Sequence, residues 1–200
     1  MIAALILAAG LGRRMGKSKP LIRIDGRPAL SLILSRIDEV GITCKIVVLG
    51  REARRIEEEV GLAGCRIVVN DRPEEGLSSS LRLGLSAVPT DADGVLIFHA
   101  DMPFIEKSTI SAVISTAEGG AKIAAPAYRG RRGFPVYFAR SSLSDLSASL
   151  AGDSGGRGYI ADHPELLTLV DVDDPGCIED IDRPEDLTEG EGETTCATSA

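Results

Sequence analysis

The chain has 200 residues, enough for one domain with a full core. Its net charge of -8 argues against nucleic-acid binding through a basic surface, and no apolar run is long enough to span a bilayer. Cys44, Cys65, Cys177 and Cys196 are scattered with no C-x-x-C pair, which disfavours a zinc site and a disulfide framework.

Residues 3–9 are an apolar run that predicts a fully buried parallel strand. The run leads into Gly10-Leu11-Gly12-Arg13-Arg14-Met15-Gly16-Lys17-Ser18-Lys19-Pro20. The spacing of Leu30, Ile33, Leu34 and Ile37 predicts a helix over 29–40, after Pro28. A second strand is expected at 45–49, a charged helix at 51–60 and a short third strand at 66–69. Residues 77–87 have helical spacing and begin in a serine-rich turn. A fourth strand is expected at 94–98 and a helix at 107–117, with Ser108 a candidate cap. Strands at 123–126 and 135–138 flank a loop at 128–133. A short helix at 143–150 and a late strand at 167–170 complete the pattern. Strands alternating with helices imply an α/β fold, a mostly parallel sheet with helices on both faces. One domain is expected over 1–187, with residues 188–200, rich in Glu, Gly, Thr and Ser, a disordered tail. The start lacks the basic region of a signal peptide, so a cytoplasmic location is expected.

The loop after the first strand is the leading site candidate. Gly10, Gly12 and Gly16 let backbone N–H groups approach phosphate oxygens, while Arg13, Arg14, Lys17 and Lys19 add fixed positive charge. It is neither a P-loop nor a dinucleotide fingerprint, because position 15 is Met and Gly16 comes one residue late. Asp101 follows the fourth strand in Phe98-His99-Ala100-Asp101-Met102-Pro103. A carboxylate there suits Mg²⁺ at the carboxyl edge of the sheet, and it equally suits a turn. His99 reads as a packed or supporting histidine rather than a base. Gly76 with Ser78, Ser79 and Ser80 reads either as N-capping or as a site that contacts a base or phosphate. Gly130-Arg131-Arg132-Gly133-Phe134-Pro135 and Gly152-Asp153-Ser154-Gly155-Gly156-Arg157 are basic, glycine-rich loops. Each alone could be a solvated turn; together they suggest a second anionic substrate. Asp180 and Asp182 alternate onto one face of an extended segment, where either is a candidate second metal ligand or part of an acidic helix start.

With these motifs in view, the chain resembles the molybdenum cofactor cytidylyltransferase group of the molybdopterin nucleotidyltransferase-like family, from Ile2 to about Leu187. The supporting residues are Leu7-Ala8-Ala9-Gly10, Arg14-Met15-Gly16, Lys19, Gly76-Leu77-Ser78-Ser79-Ser80, Asp101-Met102-Pro103, Gly133-x-Pro135, Asp153-x-Gly155-Gly156-Arg157 and Asp180-Ile181-Asp182. The resemblance implies a Rossmann-like nucleotidyltransferase fold, with a nucleotide half over about 1–106 and an acceptor half over about 107–187. It implies transfer of CMP from CTP to the phosphate of a molybdopterin-type acceptor, with a molybdoenzyme or its chaperone as a further partner. Arg14, Lys19 and Asp101 would be catalytic. Leu7, Ala8, Ala9, Gly10, Leu11, Gly12, Arg13, Met15 and Gly16 would hold the nucleotide, with Gly76, Ser78, Ser79 and Ser80. Arg132, Gly133, Pro135, Asp153, Gly156 and Arg157 would hold the acceptor, and Asp101, Asp180 and Asp182 would hold Mg²⁺. Ala9 and the three serines point to cytosine. The chain departs from the family pattern at Ala100, where Gly or Cys is usual, and at Phe134, where His or Asn is common.

Overall fold

The structure is a computed structural model that describes residues 1–10 and 18–181. The strands and helices in chain order are β1 (Ile2–Ala8), β2 (Arg23–Ile24), β3 (Arg27–Pro28), α1 (Ala29–Glu39), β4 (Lys45–Leu49), α2 (Ala53–Val60), β5 (Cys65–Val69) and α3 (Leu77–Ser86). They continue with β6 (Gly94–His99), α4 (Lys107–Glu118), β7 (Ile123–Tyr128), β8 (Arg131–Arg132), β9 (Val136–Ala139), α5 (Leu143–Ser149), α6 (Arg157–Asp162) and β10 (Leu167–Asp171). The expected tail at 188–200 lies outside the described residues.

The main sheet runs β10-β7-β9-β6-β1-β4-β5, with β8 paired to β7. β1 is central and parallel to both neighbours: Leu7 sits beside Val48 on one side and His99 on the other. Its burial on both faces explains the unbroken apolar run. Alternation divides the strand between two cores. Ala4, Ile6 and Ala8 join Leu30, Ile33 and Ile37 of α1 and Ile110 and Val113 of α4. Ala3, Leu5 and Leu7 join Leu81 and Leu85 of α3, Leu146 of α5 and Ile160 of α6. Each fully buried large aliphatic side chain contributes roughly 1.5–3 kcal/mol of transfer free energy.

β9 departs from the parallel pattern and lies antiparallel between β6 and β7. It begins at Val136 rather than at Pro135, which has no N–H to give the ladder. The expected loop at 128–133 contains a hairpin. Arg129 (φ 50°) and Gly130 (φ 75°) form a two-residue turn, and β8 folds back on β7. The glycine-rich turn at 152–158 runs into α6, which was not expected. Ser108 is not the cap of α4; it lies inside the helix, and its hydroxyl bonds to Glu106 Oε2. The cap comes from Asp174, whose Oδ2 accepts from Glu106 N–H at 2.9 Å and from the Thr109 hydroxyl at 2.6 Å.

Candidate active site

The parallel pairing of β1 with β6 brings two loops together at the carboxyl edge of the sheet. Ala100 N–H donates to Leu7 O at 3.1 Å, which holds the turn after β6 against the end of β1. Lys19 lies just past the glycine-rich loop, at the start of a short 3-10 turn fixed by Pro20. Its Nζ donates to Asp101 Oδ2 at 2.9 Å, and both side chains are about four-fifths covered. This pair sits in the wall of a cavity of about 680 Å³.

The cavity gathers most of the sequence candidates. Leu7, Ala8, Ala9 and Gly10 line it from β1. Gly76 and Ser80 line it from the start of α3, Arg132 and Gly133 from β8 and the residue after it, Asp153 and Arg157 from the turn that leads into α6 and its first residue, and Asp180 from the C-terminal segment. Gly156 belongs instead to an adjacent small apolar crevice that shares Arg157 and His99. Pro135, Ser78 and Ser79 do not line the main cavity. Leu11, Gly12, Arg13, Arg14, Met15, Gly16 and Asp182 lie outside the described residues.

Capping of α3 does not use the serines. Leu77 N–H donates to Asp153 Oδ1 and Ser78 N–H to Gly152 O, each at 3.0 Å. The glycine-rich turn at 152–153 therefore closes the start of α3. Asn70, buried at the end of β5, donates to the hydroxyls of Ser79 and Ser80, each at 2.9 Å. Ser79 spends its own proton on Gly76 O at 2.9 Å. Asn70 was not foreseen; an amide one residue beyond a short strand carries no signal on its own.

His99 is partly buried with its ring edge-on to Phe134, centroids 4.3 Å apart. Burial holds its imidazole below the ordinary value; Asp101 opposes this, while Arg157 and Lys19 reinforce it. A neutral packed histidine agrees with the supporting role expected. Arg132 is likewise lowered, by burial first and then by Arg157. Two guanidiniums that repel each other and line the same cavity favour an anion beside them. Gly133 permits the close passage of the segment at Cys177: a Cβ there would lie 2.3 Å from Cys177 O.

Among the described residues no cluster of three or more His, Cys, Asp or Glu side chains is suited to a metal ion. Asp101 and Asp180 nevertheless border one cavity, and Ile181 N–H donates to Asp101 O at 2.8 Å. One or two carboxylates with substrate phosphates and water are the usual ligands of Mg²⁺, so the donor set fits that ion. No helix among the described residues is long and apolar enough to cross a membrane.

A mostly parallel α/β sheet with a glycine-initiated loop and a cavity lined by a lysine–aspartate pair and two arginines defines a nucleotidyltransferase-type chain. The model of the MobA-like NTP transferase domain matches residues 4–166, and the chain belongs to that family. Rv0371c from Mycobacterium tuberculosis H37Rv superposes with a TM-score of 0.82 at 26% identity, over 92% of this chain and 94% of that one. The same protein has been solved with manganese. Nicotine blue oxidoreductase from Paenarthrobacter nicotinovorans is 27% identical over 194 residues, covering 93% of this chain and 94% of the relative. The bifunctional protein GlmU of Sphingopyxis alaskensis is 34% identical over 115 residues, and the match spans about 25% of its length.

Proposed function

We propose that the protein transfers CMP from CTP to the phosphate of molybdopterin-type cofactor and releases pyrophosphate. The observation that carries this reading is the Lys19–Asp101 pair, which lines one cavity together with Arg132 and Arg157. A cation and a carboxylate at the β1–β6 edge suit a triphosphate with its metal. The two guanidiniums suit the phosphate of a second substrate.

An oxygen of the acceptor phosphate attacks the α-phosphorus of CTP in line. A new phosphoanhydride bond forms as the α–β bond breaks, and pyrophosphate leaves with the electron pair. The chain's work is positioning and charge compensation. Arg132 and Arg157 hold the acceptor phosphate, which is already ionised near neutral pH and needs no general base. Lys19 and Arg14 offset the charge that builds on the departing pyrophosphate. Ala9, Gly76 and Ser80, which line the cavity, border the cytosine. Bound Mg²⁺, held by Asp101 with Asp180 or Asp182, would neutralise the phosphate oxygens.

The test is pyrophosphate release with Mg²⁺ and molybdopterin, comparing CTP, GTP and ATP. Release with CTP alone supports the reading. Release with GTP keeps the reaction and removes the base assignment. A second reading, transfer to another phosphorylated small molecule, is favoured by Phe134, which packs on His99 where the family pattern has a polar residue. It predicts release only when the acceptor is exchanged. Tight CTP binding with no release from any acceptor would point to a cofactor carrier instead.

A further inference from the structure

Residues 172–181 leave β10 and cross the carboxyl end of the sheet as a strap. Val172 N–H donates to Ala127 O at 3.0 Å, Cys177 O accepts from Phe134 N–H at 2.8 Å, and Ile181 N–H donates to Asp101 O at 2.8 Å. Gly176 passes so close to the turn after Asp101 that a Cβ would lie 2.3 Å from Phe104 O. Those ties use the backbone. Asp174, 2% exposed, adds a side-chain tie: its Oδ2 accepts from Glu106 N–H and from the Thr109 hydroxyl. A buried carboxylate is costly unless its oxygens are satisfied, and here the start of α4 satisfies it. With the strap so anchored, Asp180 borders the same cavity as Asp101.

We infer that Asp174 is a positioning residue: by locking the strap to α4 it keeps Asp180 in the cavity that Asp101 lines and so governs how tightly the site holds a divalent cation. This rests on the reading of Asp101 and Asp180 as the metal-holding carboxylates. Supporting groups of this kind change metal affinity by about 10–100-fold when removed.

The experiment measures Mn²⁺ binding to the full chain by the electron-spin resonance of the free ion, alongside amide hydrogen exchange. Asp174→Ala should weaken Mn²⁺ by about 10-fold or more. It should speed exchange at Phe134 and Ile181 while β1 and β6 stay protected. Asp174→Asn keeps an acceptor oxygen for both donors and should stay near wild type in both readouts. A strap that remains protected in Asp174→Ala, or one that loosens with Mn²⁺ binding unchanged, overturns the inference. Should Asp174→Ala fail to fold, Thr109→Val, which removes the hydroxyl tie alone, is judged by the same two outcomes. Asp101→Asn separates the two ideas. If it leaves Mn²⁺ binding intact, the metal reading falls, and the exchange pattern alone decides whether Asp174 locks the strap.

Discussion

Lys19 and Asp101 lie 82 residues apart in sequence and 2.9 Å apart in space. Neither residue type was surprising as a candidate; what sequence could not give was their pairing, which depends on β1 lying beside β6. Lys19→Ala removes one preorganised donor and should raise the barrier by about 2–4 kcal/mol. An unchanged kcat/KM in a pyrophosphate-release assay would take Lys19 out of the site. Asp101→Ala should abolish turnover while the chain still folds cooperatively in urea, with a lowered midpoint because Lys19 Nζ loses this carboxylate from a largely covered pair. Cys177 gives a pH prediction. Burial, then the nearby Asp174, raises its thiol from 9.0 to about 11. The folded chain keeps this proton where the unfolded chain releases it. Its contribution to stability is therefore complete below about pH 9 and is lost as pH rises toward 11. Urea unfolding of wild type and Cys177→Ala across that window checks it: the wild type should lose stability more steeply, and parallel slopes would refute the assignment.

At the scale of elements, the junction between Gly76 and the loop at 152–153 decides how the two sides of the cavity meet. Gly76 has φ 94°, and a Cβ there would lie 2.4 Å from Asp153 Oδ1 and 2.8 Å from Gly152 O. Gly41 also has positive φ (79°) but nothing within 4 Å. Gly41→Ala thus carries only the backbone cost, about 1 kcal/mol, whereas Gly76→Ala carries a clash as well. The larger loss in Gly76→Ala should come with a raised KM for CTP. Equal urea midpoints for the two variants would mean that the turn at 152–153 does not press on this helix. The same junction shows what sequence can carry. Long periodic segments such as α1 and the apolar run of β1 were legible because their patterns are local. The caps were not: Leu77 N–H is satisfied from 76 residues away and Glu106 N–H from 68 residues away, so the serines beside each helix were false leads. β8, with two residues, and α6, with six, are too short for any period to register.

For the molecule as a whole, the decisive element is β9. The antiparallel strand β9, between β6 and β7, joins the strands of the N-terminal and C-terminal halves of the chain in one sheet. Phe138 packs in the core shared with Leu5 and Leu7, so the C-terminal half supplies part of the wall that β1 buries against. Neither core can be removed without exposing one face of β1. Unfolding should therefore be cooperative across the chain. The sequence offers a clean probe, since it has no Trp and its three tyrosines, Tyr128, Tyr137 and Tyr159, all lie in the C-terminal half. Tyrosine fluorescence reports that half, and far-ultraviolet circular dichroism reports every helix and strand. In urea the two transitions should coincide in midpoint and slope. An earlier tyrosine transition would mean that the C-terminal half opens alone, with β6 left as a sheet edge. The Lys19–Asp101 pair would then survive in a state that has lost Arg132 and Arg157.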